Sequence, residues 1–388
     1  MNTLHYRPNL TAALLRFLRQ TALCLFALFA FPALAEAVVE KPSSHKRLVE
    51  VAFVLDTTGS MADLIDGAKK KIWSIANTIV DQYPGAEIRF GLVGYRDIGD
   101  EYVTKKFPLT TDIQSIYAKL LAFKAEGGGD LPESVNEALD VAVTKLGWSD
   151  KKQIKADRIL FLVGDAPPHM NYQHDRKYPE IIADAVKKGI IVNTVQAGDD
   201  PTTRQFWKRM ALLGNGDYLS IPQDGGRFAV IVTPYDDEIL VIQRKLNLTI
   251  IPYGSVALRR EVRSKAEMSE RAAAPEAADM ASFVSKSRKG EAVVTGGGDL
   301  VADMKEGRKK LAEVPQSELP ENMQKMSAAE QANYLDAKAS ERAELSRQLA
   351  ALVSRRDAFI FEQERASVAS PASSFDASVK GTLKKQIK

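Results

Sequence analysis

An acid and two hydroxyl-bearing residues follow an apolar run at alternate positions. The run is VEVAFVL at positions 49–55, and Asp56, Thr58 and Ser60 come directly after it in the segment DTTGS. A tight loop after a strand can turn these three side chains toward one point. The pattern fits the N-cap of a following helix, an oxygen-rich metal cradle, or an aspartate that accepts a phosphoryl group.

Two further segments carry acids that could join this site. The segment EGGGDLPES places Asp130 and Glu133 after three glycines, and Asp165 ends the apolar segment RILFLVGD. Glycines allow close backbone approach, and the carboxyl ends of parallel strands meet at one edge of a sheet. Carboxylate and hydroxyl oxygens suit Mg²⁺ or Mn²⁺ better than zinc. We therefore expect one divalent-cation site built from the three segments.

Two weaker groups of candidate ligands lie nearby. A zinc set would consist of His169, His174 and Asp175. Its spacing is not helical and it includes no thiol, so a plain surface loop is the alternative. A second cation set, or a solvated turn, would consist of Asp97, Asp100 and Glu101. No P-loop, dinucleotide-binding or nucleophile-elbow motif occurs in the chain, which argues against those nucleotide-binding and hydrolase classes.

The elements that must position these residues alternate between apolar strands and amphipathic helices. Strands are predicted at 49–55, 87–95, 158–163 and 190–195, and a further strand at 102–109 follows a turn closely enough to return antiparallel. Apolar residues at helical spacing predict helices over 62–80 and 135–146. The pattern indicates an α/β fold with a doubly wound, mostly parallel sheet, one antiparallel edge strand and a C-terminal helical extension.

The second half of the chain changes in composition. We predict a domain-closing segment at 236–262 and a flexible region, rich in Ala, Ser and charged residues, at 263–326. A charged helix follows at 327–366, opened by a capping-box pattern at Ser327 and Glu330. Its leucines predict either a coiled coil with a partner helix or packing on the helix's own domain. The tail at 367–388 is predicted to be disordered.

The first 35 residues resemble a secretory signal peptide. Three arginines precede a short apolar run, and Ala33-Leu34-Ala35 forms a small-residue cleavage site, so we expect cleavage after Ala35, a polar linker at 36–47 and a periplasmic or secreted protein. Three of the 53 Lys and Arg lie in this leader, which leaves 50 opposite the 50 Asp and Glu. Equal numbers of basic and acidic residues argue against a nucleic-acid partner. The single cysteine, Cys24, lies in the leader, and no later segment could span a membrane.

The three motifs together resemble those of the von Willebrand factor A domain. DTTGS resembles its Asp-x-Ser-x-Ser motif, with Thr58 in place of the first serine, and Asp165 matches its later strand-end Asp. The second loop resembles the integrin β version, which implies Glu133 as a direct ligand of the main ion and Asp130 as a ligand or helper. The resemblance covers 48–221, and we assign 48–235 to this domain. The extension resembles that of exported bacterial members.

A haloacid-dehalogenase-type phosphotransferase is the alternative. Asp56 to Ser60 also resembles the Asp-Lys-Thr-Gly-Thr phosphorylation motif, and Gly164-Asp165 resembles the later Mg²⁺-binding pair of that family. Asp56 would then be the nucleophile. However, Thr57 replaces the lysine, no second acid follows Asp165 within four residues, and the glycine-rich loop would have no role.

The resemblance to the von Willebrand factor A domain implies a binding protein and not an enzyme. A metal-ion-dependent adhesion site would hold Mg²⁺, or Mn²⁺ or Ca²⁺, and the ion would capture an Asp or Glu carboxylate of a protein partner. The charged C-terminal helix offers a second contact, through which the chain could self-associate.

Overall fold

Six strands form one sheet in the part of the chain that the structure, a computed structural model, describes, namely residues 47–129, 131–226, 231–287, 294–366 and 374–387. They are β1 Leu48–Asp56, β2 Glu87–Tyr95, β3 Thr104–Thr110, β4 Ala156–Gly164, β5 Ile190–Ala197 and β6 Asn215–Ile221. Their order is β3-β2-β1-β4-β5-β6, with β3 antiparallel to β2 and the other pairs parallel. The predicted fold class is confirmed. Strand β6 was not predicted, because its sequence NGDYLSI is largely polar.

The helices alternate with the strands in the first half and follow one another in the second. The first group is α1 Ala62–Gln82, α2 Ile113–Leu121, α3 Val135–Lys145, α4 Tyr178–Lys187 and α5 Pro201–Leu213. The second group is α6 Asp236–Asn247, α7 Val256–Arg271, α8 Ala274–Lys286, α9 Leu300–Lys305, α10 Glu321–Gln324, α11 Ala328–Ala366 and α12 Phe375–Gln386. Short 3-10 turns lie at Gly59–Met61, Leu311–Glu313 and Gln316–Glu318.

Strand β1 shows why the sheet is covered on both faces. Val51 and Phe53 belong to a buried cluster with residues of α1 and α2, whereas Ala52 and Val54 belong to a cluster with residues of α3, α4 and α5. Successive side chains of a strand point to opposite faces, so a nearly continuous apolar strand requires two helical layers. The strand order reverses between β1 and β4, which places a crevice beyond the carboxyl ends of these two strands.

The C-terminal helices pack through their own apolar clusters. Leu345, Leu349 and Leu352 of α11 lie in a buried cluster with Ile239 of α6 and Ala281 of α8. These leucines therefore contact helices of the same chain. Arg356 of α11 also links α6 to α8, because its guanidinium lies 2.8 Å from a carboxylate oxygen of Asp236 in α6 and 2.8 Å from one of Asp279 in α8.

Two expectations about the second half are corrected by the structure. The region expected to be flexible, 263–326, contains α8 and α9 and much of α7, and its alanines allow close helix packing. The tail expected to be disordered, 367–388, contains α12, whose residues Phe375, Val379 and Leu383 are buried in the cluster that includes α1. Composition alone suggested flexibility at both places, whereas burial against distant elements stabilises the helices.

Helix α11 begins at the predicted capping box. The backbone nitrogen of Ser327 donates to the Glu330 carboxylate at 2.7 Å, and the backbone nitrogen of Glu330 donates to Oγ of Ser327 at 3.4 Å. Within the described ranges, no helix combines the length and the apolar character needed to cross a membrane. The predicted leader at 1–35 and nearly all of the linker lie outside those ranges.

Candidate metal site

The loop after β1 turns its hydroxyls toward Asp56. Oδ1 of Asp56 accepts hydrogen bonds from the backbone nitrogen of Thr58 at 2.9 Å and from its Oγ1 at 2.6 Å. Oγ1 of Thr58 lies 3.3 Å from Oγ of Ser60. The expectation that these hydroxyls cap the following helix is wrong, since neither the 3-10 turn Gly59–Met61 nor α1 has a side-chain cap. The turn separates DTTGS from α1 and leaves the hydroxyls at the site.

The glycine-rich loop lies directly on this first loop. The backbone nitrogen of Gly59 donates to the carbonyl of Gly127 at 3.1 Å. Gly128 has a φ of +84°, and a Cβ there would lie 3.1 Å from Cβ of Thr58 and 3.3 Å from Oε1 of Glu133. A Cβ on Gly127 would lie 2.2 Å from Asp100. The loop therefore needs glycine both for its backbone conformation and for its close approach to Thr58.

Glu133 is held by the loop that follows β4. Its backbone nitrogen donates to the carbonyl of Pro167 at 2.9 Å, and its carbonyl accepts from the backbone nitrogen of His169 at 3.1 Å. The residue is 3% exposed. These bonds bring the second and third predicted segments together. Asp130, the other acid predicted in this loop, lies outside the described residues.

Asp165 has a partner that sequence analysis did not identify. Its Oδ2 accepts a hydrogen bond of 2.6 Å from Nε2 of Gln223, which also donates to the carbonyl of Ser60 at 3.3 Å. Gly198 makes room for this side chain, because a Cβ there would lie 2.3 Å from Oε1 of Gln223. Gln223 follows β6, and neither that strand nor an isolated glutamine offered a recognisable signal.

The buried acids are short of positive charge. Burial, and then the neighbouring Asp165 charge, raises the pKa of Asp56 to about 7. Burial raises the pKa of Glu133 to about 9, with further contributions from Asp56 and other acids nearby. Oε2 of Glu133 is buried and has no hydrogen-bond partner among the described residues, whereas the Tyr95 hydroxyl lies beside the buried Asp56 carboxylate. Either protons or a cation must therefore compensate these carboxylates.

The side-chain oxygens at this site are of the kind that a hard divalent cation prefers. The acids among them that the structure describes are not grouped closely enough to form a complete metal site by themselves. Thr58, Ser60, Glu133 and Asp165 line a cavity of about 740 Å³, and Asp56 lies behind it. Only oxygen donors meet there, as Mg²⁺ prefers. Among the described residues, however, no three acids, histidines or cysteines are grouped closely enough to hold a metal ion. The hydrogen bond from Gln223 occupies one oxygen of the third acid in this arrangement.

The candidate zinc ligands and the candidate ligands of a second cation are likewise not grouped closely enough to hold a metal ion in the described part of the chain. Asp97 instead supports the Glu133 segment, because its carboxylate accepts from Oγ of Ser134 and from the hydroxyl of Tyr172, each at 2.7 Å. Nε2 of His169 lies 3.3 Å from the same carboxylate, and the His169 ring stacks on Tyr172 with centroids 3.9 Å apart. These contacts give Asp97 and His169 a positioning role next to the site.

Comparison with known proteins agrees with the resemblance of the motifs. The family model described as von Willebrand factor A domain matches residues 50–226. The von Willebrand factor A domain-containing protein 7 of Rattus norvegicus is 38% identical over 96 residues, which are 24% of this chain and 10% of that protein. Its Mus musculus namesake is 34% identical over 148 residues, or 36% of this chain and 15% of that protein. The chain therefore spans only a small part of these relatives.

Among solved structures, the match to the VWA domain of SpRpn10 covers 46% of this chain and 88% of the SpRpn10 chain, with 13% sequence identity and a TM-score of 0.34. The family match begins at the third residue of β1 and ends after β6, so it includes nearly the whole sheet and the three loops described above. Residues 50–226 of this chain form a von Willebrand factor A domain.

Proposed function

We propose that this domain is a metal-dependent protein-binding module of an exported protein. Asp56, Thr58, Ser60, Glu133 and Asp165 would hold Mg²⁺, or Mn²⁺ or Ca²⁺, with Asp130 as a further predicted ligand. Domains of this family typically mediate protein–protein interaction. When bound, the cation supplies a coordination position that favours an anionic oxygen, such as an Asp or Glu carboxylate of the partner.

The observation that supports this proposal best is the pair of buried carboxylates, Asp56 and Glu133, which have no cation among the described residues within ion-pair distance. Oε2 of Glu133, a residue that lines the cavity, is buried and receives no hydrogen bond from the described residues. Asp56 is fully buried, and the charged neighbour that raises its pKa further is an acid, Asp165. Burying an ionised carboxylate without a donor or a counter-ion is costly, so two neighbouring buried acids favour a site that takes up a cation when they lose their protons. The Thr58 backbone nitrogen and hydroxyl hold Oδ1 of Asp56 on the side of the loop that lines the cavity.

The same geometry argues against phosphoryl transfer. A nucleophilic aspartate must be ionised and accessible to the phosphoryl donor. Asp56 has no exposed surface, and Thr58 engages its Oδ1 through two hydrogen bonds, so an in-line attack on a phosphoryl group would have to break them. The glycine-rich loop also closes directly over Thr58. These features suit a residue that anchors a cation better than one that attacks phosphorus.

Export and self-association belong to the same proposal. The leader predicts a mature chain that begins at Glu36 in the periplasm or outside the cell, and N-terminal sequencing of the secreted form tests this. The exposed charged face of α11 is the surface through which helix-mediated self-association would occur.

Calorimetric titration of the chain from residue 36 onward with Mg²⁺ and Mn²⁺ tests the proposed function. We expect saturable binding to the wild type and a loss of at least about tenfold in affinity for Asp56→Ala. Asp336→Ala removes an exposed acid of α11 and serves as the matched control, with circular dichroism to verify the fold. Unchanged affinity in Asp56→Ala would overturn the proposal.

A further inference from the structure

The cavity at the proposed metal site has chemically different ends. Leu131 lines it beside the glycine-rich loop, which contacts the loop after β1. Asp199 lines it after β5, which lies on the far side of β4 from β1. Ser60, which follows β1, and Asp165, which follows β4, also line it. An occupant of this cavity therefore meets an apolar side chain, the proposed cation and a carboxylate.

Two further exposed apolar side chains lie on loops that contact the Glu133 segment, outside the lining of the cavity. Leu131 is 57% exposed, and Ile98 and Met170, which are 61% and 40% exposed, lie on neighbouring loops. Asp97 next to Ile98 accepts from Ser134 at 2.7 Å, and Sδ of Met170 lies 3.8 Å from the Asn136 amide nitrogen. Three loops around Glu133 thus each present an exposed apolar side chain, as the contact surfaces of binding proteins commonly do.

The acidic end offers a carboxylate that the described residues do not neutralise. Asp199 is exposed, and the contact to it from Arg204 reaches its backbone carbonyl, at 3.2 Å, and not its side chain. The adjacent Asp200 differs, because its carboxylate caps α5 by accepting from the Thr203 backbone nitrogen at 2.6 Å. A cationic group of a partner can therefore pair with Asp199 without breaking an internal contact.

We infer that the partner contributes a peptide segment in which an acidic residue lies between an apolar residue and a lysine or arginine. The acid would complete the cation's coordination, the apolar residue would pack on Leu131, and the basic residue would pair with Asp199. The inference rests on the proposed metal-dependent binding and specifies the partner's chemistry. A plain acidic segment fits less well, because Asp199 would repel additional negative charge.

Selection from a random peptide library displayed on phage tests the inference, with retention in Mg²⁺ and elution by EDTA. We expect the eluted peptides to be enriched in an acid flanked by Lys or Arg and by Leu, Ile or Val. Mg²⁺-dependent peptides with an acid and no such neighbours would overturn the inference and leave the proposed function standing. Absence of EDTA-dependent enrichment would overturn the proposed function itself.

Substitutions in the protein provide an independent test. The ligand is one of the selected peptides, made by chemical synthesis. Asp199→Lys should weaken its binding by about three- to tenfold, and Leu131→Ser by a similar factor. Asp336→Lys and Leu212→Ser, at exposed positions of α11 and α5, are the matched controls and should leave affinity unchanged. Equal affinities in Asp199→Lys and Asp336→Lys would contradict a role for Asp199.

Discussion

Gln223 donates a 2.6 Å hydrogen bond from Nε2 to Oδ2 of Asp165, so the chain's own loop engages the third acid of the candidate site. The same loop is tied to the C-terminal helix, because the backbone nitrogen of Phe375 donates to the carbonyl of Gly225 at 3.0 Å. The Gln223 side chain itself is exposed and lines the cavity, so it can leave Asp165 without disturbing the core.

Removing this amide should therefore favour cation binding. Gln223→Ala frees Oδ2 of Asp165 and is expected to tighten Mn²⁺ binding by about two- to tenfold, the equivalent of one hydrogen bond. Calorimetry measures the affinity, and Asp224→Ala serves as the neighbouring control on the same loop. Weaker binding in Gln223→Ala would instead mean that the amide orients Asp165 for the ion.

The raised pKa values predict that the metal-free protein loses stability as the pH rises. The pKa of Asp56 rises from 3.8 to about 7 on folding, and that of Glu133 rises from 4.5 to about 9. Between the ordinary and raised values, the folded state binds more protons than the unfolded state, so the free energy of unfolding falls with increasing pH. In EDTA, unfolding by urea should therefore show lower stability at pH 8.5 than at pH 5.5.

Mg²⁺ should reverse this trend, because the cation replaces the protons. Asp56→Asn keeps the hydrogen-bond acceptor and removes the charge, so it should flatten the pH dependence and raise metal-free stability by at least about 1 kcal/mol at pH 8.5. The variant should also lose the stabilisation by Mg²⁺. A wild-type stability that increases from pH 5.5 to pH 8.5 in EDTA would contradict the assigned pKa directions.

The close approach of Gly128 to Thr58 predicts that one methyl group added at Gly128 weakens cation binding. Gly128→Ala places a Cβ 3.1 Å from the Thr58 side chain at a φ of +84°, so it should displace the loop and reduce Mn²⁺ affinity by about tenfold or more. Gly85→Ala is the matched control, since Gly85 has a φ of +94° and open space around it. Both variants should lose about 1–2 kcal/mol of stability from backbone strain. Equal Mn²⁺ affinity in the two variants would show that the contact is unimportant.

The buried guanidinium of Arg356 predicts a stability effect in the helical half. Arg356→Ala leaves Asp236 and Asp279 without their shared cation and should cost about 3–5 kcal/mol. Hydrogen exchange is expected to accelerate in α6, α8 and α11 and to change little in the sheet. Arg365→Ala, at an exposed position of the same helix, should have almost no effect. Uniform acceleration across the sheet would show that the two halves unfold together.

Local patterns in the sequence were sufficient for five of the six strands and for the three site segments. Continuous apolar runs identified β1, β2, β4 and β5 because strands buried on both faces require them. The alternate spacing of Asp56, Thr58 and Ser60 indicated a shared site, since these residues are close in the chain. Strand β6 was missed because it is a largely polar edge strand that forms by pairing with β5. Helix α12 was missed because it depends on burial of its apolar residues in the cluster that includes α1.

Tertiary structure decided what surrounds each functional group. Gln223 reaches Asp165 across 58 positions of the chain, and Asp97 reaches Ser134 across 37. No spacing rule predicts such contacts, because they depend on which strand ends are neighbours in the sheet. The chain by itself thus determined which residues could serve as cation ligands. The order of the strands decided which of them meet, and burial there left Asp56 and Glu133 short of positive charge.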